Sequence, residues 1–312
     1  KTILSVLVFL ISISGEQISG ILMAIACIFI PTYFLIFKIS FFSIFFLFLL
    51  SIAGSFVVIN IDILEIASSL SLNPRNANAA HFFAHILYEE NEVKAGREYL
   101  KVWIPNYDRR SILHGHLSWH QALWALQDGD TNTMWETIDA SVSQENSSSL
   151  PINALTDTAS IYYRAELAGY HVPLERWHKL SQYAAEKFPE MGQSFADIHV
   201  ALSHAMAGND EDLRKLIIGN TGFAGDIVPS VAKAWKAISE NKWENAKIKL
   251  EVVVSDFERF GGSRAQRDLL EFTYVNVLLR LGLKEKARQV LLERRPAFYD
   301  KAPIESMNLS IN

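Results

Sequence analysis

Three observations in this 312-residue sequence predict an all-α fold: a solenoid of helical-hairpin repeats behind an apolar N-terminal segment. Apolar residues recur at three- and four-residue steps through most of residues 60–300, the periodicity of one buried helix face. Short polar breaks centred on Asn91, Gly129, Gly169, Gly208, Asn241 and Gly282 return every 33–41 residues. Strand signatures are absent beyond residue 60, apart from short apolar runs. A near-constant period in this range marks stacked two-helix units, each too thin to bury its own apolar side without its neighbours.

The elements follow in order. First helices of the hairpins are predicted over 76–90, 112–128, 152–168, 194–207, 226–240 and 264–281. The breaks that end them read "EENE", "QDGD", "LAGYH", "MAGND", "SENK" and "RLGLK", and a second helix starts after each. In 242–257 the residues Trp243, Ala246, Leu250, Val253 and Phe257 form one stripe, while Lys242, Glu244, Lys247 and Glu251 take the wet side. In 269–281 apolar residues wrap further round, as on an inner helix packed on two sides. Longer breaks at 143–153 and 219–229 read as inter-repeat loops.

Residues 1–59 differ sharply from the rest. Of 29 Lys/Arg and 34 Asp/Glu in the chain, only Lys1, Lys38 and Glu16 fall there. The runs 18–37 and 39–59 each have the length that crosses a bilayer core, so a membrane anchor is expected, with a cytoplasmic soluble domain behind it. A signal peptide fits poorly, because the apolar run is too long and no clean cleavage site follows. The alternative is a start foreign to the domain, since only Lys38 separates the two runs; that leaves a cytoplasmic protein. The organisation read is 1–59 apolar segment, 60–300 repeat domain and 301–312 tail.

The net charge of −5 and the lack of a basic excess exclude a phosphate-backbone grip, so no nucleic-acid partner is expected. The single cysteine, Cys27, rules out an intramolecular disulfide and a thiolate metal site. No P-loop, dinucleotide fingerprint, nucleophile elbow or kinase motif set is present.

Several segments in one order resemble a known family: "SLNPRNANAAHFFAH" (71–85), "HGHLSWHQALWALQDGD" (114–130), "INALTDTASIYYRAELAG" (152–169), "FADIHVALSHAMAG" (195–208) and "GGSRAQRD" (261–268). They are similar to the tetratricopeptide repeat protein 38 family, over about residues 65–296. The resemblance implies a tetratricopeptide-like α-helical repeat fold and no settled activity.

Candidate site residues come from the predicted inner helices. His81 and His85, and His116 and His120, are spaced four apart, which puts each pair on one helix face. That spacing can hold a metal, but neither pair is HExxH. Hydrogen bonding between adjacent helices is the plainer role, and no metal ligand is assigned. Asp197 could orient His199, yet Ser194-x-x-Asp197 also reads as a capping box. In "FGGSRAQRD" (260–268), Gly261 and Gly262 end one helix, Ser263 caps the next with Gln266 completing a capping box, and Arg264 can pair with Asp268. Its functional reading is an anion site at a helix start flanked by Arg264 and Arg267. The seven tryptophans are expected as core fillers. Two functions follow: a scaffold that binds a protein or peptide partner in its concave groove, or an enzyme or binder of a small anionic ligand or metal on a His-lined inner face. No cofactor is identified.

Overall fold

A computed structural model describes residues 65–219 and 222–298, so the predicted spans at 18–37 and 39–59 and the tail 301–312 lie outside the described residues. Among the described residues no helix is long and apolar enough to cross a membrane. The chain divides at Ala80/His81 into two compact units. In the first, helical residues 65–72 lead to a turn in which the Asn76 amide donates to Ser69 Oγ at 2.8 Å, while Asn76 Oδ1 accepts from Ala79 N at 3.2 Å. That second bond caps the next helix.

The second unit is all helix, with no strand among the described residues; one isolated bridge joins Gln193 to Phe223. Twelve α-helices form six hairpins among the described residues: α1 (Ala77–Glu89) with α2 (Val93–Trp103), α3 (His114–Gln127) with α4 (Thr131–Thr137), α5 (Pro151–Leu167) with α6 (Leu174–Lys187), α7 (Ser194–Ala207) with α8 (Asp210–Ile218), α9 (Val228–Ser239) with α10 (Trp243–Glu251), and α11 (Arg264–Arg280) with α12 (Lys284–Arg294). A wide turn at Ile138–Val142 extends α4, and a tight one at Val254–Phe260 follows α10. The stripe read through 242–257 therefore runs across a helix and a 3₁₀ turn, although Ala246, Leu250, Val253 and Phe257 are all buried as read.

The six residues placed at the breaks all take positive φ, from 56° at Asn91 and Asn241 to 86° at Gly169. Asn and Gly tolerate that left-handed turn, which halts a helix and lets the chain reverse. Side chains then start two of the six return helices: Asp130 Oδ1 accepts from Thr133 N at 3.1 Å, and Asn209 Oδ1 from Asp212 N at 3.3 Å. Tight approach needs glycine at Gly96, where an added Cβ would stand 2.5 Å from the Trp124 indole.

Packing is mainly between chain neighbours. The inner helices run α3 on α5, α5 on α7 and α7 on α9, and each of α2, α6, α8 and α10 leans on the helix that follows it. The sequential pattern breaks where α11 packs on α5 and where Tyr88 and Glu89 at the end of α1 reach Asp268 and Arg295. The α11 contact covers a face of α5 that an open row would leave wet, and it encloses polar side chains. Trp119, Trp124, Trp177 and Trp235 fill the core as expected; Trp103, Trp135 and Trp243 are half-buried.

Candidate metal centre

The histidine pairs of α1 and α3 meet. His81 and His85 lie one turn apart on α1, His116 and His120 one turn apart on α3, and the two faces oppose each other. Ring centroids are 4.7 Å apart for His81–His116 and 4.6 Å for His85–His120. One ligand nitrogen from each of the four lies within 4.8 Å of the others. Ligands of one ion at metal–nitrogen bonds of about 2.0–2.1 Å sit at most roughly 4 Å apart. Sub-ångström side-chain shifts would therefore bring all four onto one ion.

The surroundings orient these rings. His116 Nδ1 is 2.7 Å from Asp157 Oδ2 of α5. A carboxylate there accepts a hydrogen bond from Nδ1–H and leaves the lone pair on Nε2, an arrangement found behind metal-bound imidazoles. His116 stacks on Trp119 at 5.2 Å, and the same indole lies 4.9 Å from His120, so α3 supplies an apolar wall. His81 and His85 turn their Nε2 atoms toward each other at 2.9 Å. His120 is wholly buried, and neither of its nitrogens has a hydrogen-bond partner.

Electrostatics favours neutral rings. Burial, and then the nearby His116 and His85, push His81 down to about 3; burial and His116 push His85 down to about 4. Burial and the other cluster histidines, with Arg164 last, hold His120 well below the ordinary imidazole range. Neutral imidazole is the metal-binding form, so loading near pH 7 displaces no proton from these three rings. Burial raises Asp157, opposed by His116.

The remaining sequence candidates do not join this cluster. His199 Nδ1 bonds Phe195 O one turn back at 2.7 Å, and burial pushes His199 down to about 4. The capping box read at Ser194 and Asp197 does not form. Ser194 is already the first helical residue, its hydroxyl donates to Phe223 O, and Asp197 Oδ2 accepts from Gly192 N at 3.0 Å. The bridge between 193 and 223 fixes the chain ahead of α7.

The stretch 260–268 starts a helix as read. Gln266 N donates to Ser263 Oγ at 3.4 Å and Ser263 N to Gln266 Oε1 at 2.9 Å, a complete capping box. The Arg264–Asp268 pair does not form. Asp268 sits on the buried face of α11, where it accepts from Tyr88 Oη at 2.8 Å and pairs with Arg295 Nη2 at 3.0 Å. Arg264 donates to Arg294 O at 3.3 Å, and Arg267 to Gly262 O at 2.8 Å.

Sequence reasoning missed Asp157, Arg164, Tyr88 and Arg295. A signal for the first two was present: Thr156, Asp157, Ser160 and Arg164 form a polar stripe on a helix whose neighbouring positions are apolar. No known family model matches this chain, and no solved structure matches it. The resemblance to the tetratricopeptide repeat protein 38 family stands on the sequence motifs.

Proposed function

We propose that this is a tetratricopeptide-like helical-repeat protein whose inner face holds one transition-metal ion through His81, His85, His116 and His120. The observation that carries the reading is the convergence of four imidazole nitrogens within 4.8 Å, from two helices. Chance packing of buried histidines gives each ring a hydrogen-bond partner; His120 has none. An all-imidazole set suits Zn²⁺, Cu²⁺ or Ni²⁺, and it lacks the oxygen ligands that Mg²⁺ and Ca²⁺ require. His116 and His120 are at most 4% exposed, which favours an ion or small ligand over a peptide on this face.

Titration of the purified full chain with Zn²⁺, Cu²⁺, Ni²⁺ and Mg²⁺, followed by calorimetry and elemental analysis, tests this. One ion per chain is expected for at least one of the first three and none for Mg²⁺. His85→Ala and His120→Ala should each weaken binding by tenfold or more. Asp157→Asn should cost about 10–100-fold through the orientation of His116. His199→Ala should bind as the wild type does. Binding that survives both cluster variants would refute the assignment.

A further inference from the structure

Helix α5 buries a charge that no carboxylate touches directly among the described residues; Asp268 reaches it only through Tyr88. Arg164 is 3% exposed, yet no carboxylate lies within ion-pair distance of it among the described residues. Its Nη1 donates to Tyr88 Oη at 3.3 Å and its Nη2 to Ala265 O, while its Nε has no partner. The guanidinium lies over the Phe272 ring at 5.4 Å. The carboxylate of the region, Asp268, spends one oxygen on Tyr88 and Arg295. Asp268 acts on Arg164 without touching it and is paired with Arg295; a buried cation that shares an acid in this way is disfavoured, so a further counter-charge is the expected occupant.

A second, independent observation points to the same place. Buried hydroxyls on helices ordinarily bond the carbonyl one turn back. Ser118, Ser203 and Thr273 do so, at 2.8, 2.8 and 2.6 Å to His114, His199 and Leu269. Thr156 and Ser160 do not: each is 1% exposed, and each hydroxyl is unpartnered. They stand eight and four residues before Arg164, on one side of α5, and the three are spread over about 12 Å of helix. Hydroxyls that decline their local bond, in line with a guanidinium whose Nε is unpartnered, form a buried row of donors.

We infer that the Thr156–Ser160–Arg164 stripe of α5 is a binding site for a small oxyanion, a phosphate or a carboxylate, with Arg164 supplying the charge and the two hydroxyls supplying hydrogen bonds. The site stands apart from the histidine cluster and does not require the metal. Because α11 covers α5, the ligand enters only when that contact opens, which makes binding slow.

The test uses the full chain, metal-free and zinc-loaded, with calorimetry and thermal melts in inorganic phosphate, in acetate and in chloride at equal ionic strength. Saturable 1:1 binding of phosphate or acetate, absent for chloride, is expected in both metal states; preference between the two tells a tetrahedral anion from a carboxylate. Arg164→Gln should abolish it. Should that variant fail to fold, Thr156→Val and Ser160→Ala keep the question open to refutation. Each should weaken the bound anion five-fold or more and raise the Tm of the ligand-free protein by a few degrees, about 2–4 °C, because an unpartnered buried hydroxyl is removed. His85→Ala should leave anion binding intact, which separates this site from the metal reading. Equal behaviour in all three salts, or hydroxyl variants that bind as the wild type does, would show that the stripe holds no anion and overturn the inference.

Discussion

Helices α1 and α5 each contribute to two polar clusters, and the two clusters are built on opposite plans. Toward their C-terminal ends, Tyr88 and Glu89 of α1 and Arg164 of α5 meet Asp268 of α11 and Arg295 beyond α12. There Asp268 and Arg295 pair at 3.0 Å, Arg295 reaches Glu89 at 3.1 Å, and Tyr88 links Asp268 to Arg164. One turn or two away, His81 and His85 of α1 meet His116 and His120 with Asp157 as the single carboxylate. The first cluster sets opposite charges together, Arg295 against Asp268 and Glu89. The second gathers like groups, four bases around one point, and leaves nitrogens unpartnered. Both clusters keep unpartnered atoms, among them Asp268 Oδ1, Arg164 Nε and Arg295 Nε in the first; opposed charges are explained by folding, whereas four bases gathered on one point are explained by a ligand.

The largest expected effect breaks the cluster of opposed charges. Asp268→Ala takes from Arg295 its buried partner, leaving only the exposed Glu89, and takes from the Tyr88 hydroxyl its acceptor in a covered interior. Removing one partner of a buried pair costs about 3–5 kcal/mol, so urea denaturation of this variant should show a loss of that order. A loss below about 1 kcal/mol would mean the cluster is wet in solution and the comparison is void.

Acid comes next, through histidines of α7 that serve as controls. Burial pushes His199 and His204 down to about 4 each, with the Phe195 carbonyl and Asp212 acting weakly the other way. The unfolded chain takes up these protons near 6.5 and the folded chain does not, so the folded state binds fewer protons between those values. Their contribution to stability is complete above pH 6.5 and is lost as pH falls from 6.5 toward 4. Melting temperatures across that window should fall steadily, and His199→Gln should flatten the slope. A flat profile would show that these rings are not held neutral by the fold.

His204→Ala sharpens the contrast at a smaller scale. His204 Nδ1 and Ser181 Oγ share a hydrogen bond at 2.8 Å, and Ser181 also accepts from Asn209 at 3.3 Å. Deleting the ring leaves Ser181 short of a partner, at about 1–3 kcal/mol. Ser263→Ala should cost about 1 kcal/mol by removing a helix cap. Both are read by equilibrium denaturation.

These particulars show how far the sequence reaches. The hairpin breaks were legible because Asn91, Gly129, Gly169, Gly208, Asn241 and Gly282 each meet a local backbone demand, a positive φ, that few residues accept. The capping box at Ser263 was legible for the same reason: both of its partners lie within three residues. The histidine pairs were visible as pairs, since four-residue spacing is a property of one helix. That the two pairs face each other depends on how α3 lies against α1, which spacing does not encode. The expectation of an Arg264–Asp268 pair failed on tertiary grounds, because α11 turns Asp268 inward to Tyr88 and Arg295. The Ser194–Asp197 box failed likewise, because Ser194 is drawn across to Phe223 O and Asp197 back to Gly192 N. Where a partner lies within a turn, the sequence names it; where it lies across a seam, the sequence names only the candidate.

The smallest effect carries the sharpest reading. His120 is wholly buried with neither nitrogen bonded. If it served the fold, replacing it would be destabilising, as at Ser181 and His204. If it is kept for a ligand, the metal-free protein gains from its loss, since a buried polar group without a partner opposes folding. His120→Leu keeps much of the volume and removes both nitrogens. In the metal-free protein it should be within about 1 kcal/mol of wild type, with the sign toward greater stability. With zinc present the order should invert, because only the wild type gains binding energy: at a zinc concentration 100 times the Kd, about 2.7 kcal/mol. Paired melts of the two proteins, with zinc and with chelator, give both signs in one experiment. A variant less stable than wild type by the same margin in both conditions would place His120 with the structural histidines and remove the asymmetry between the two clusters.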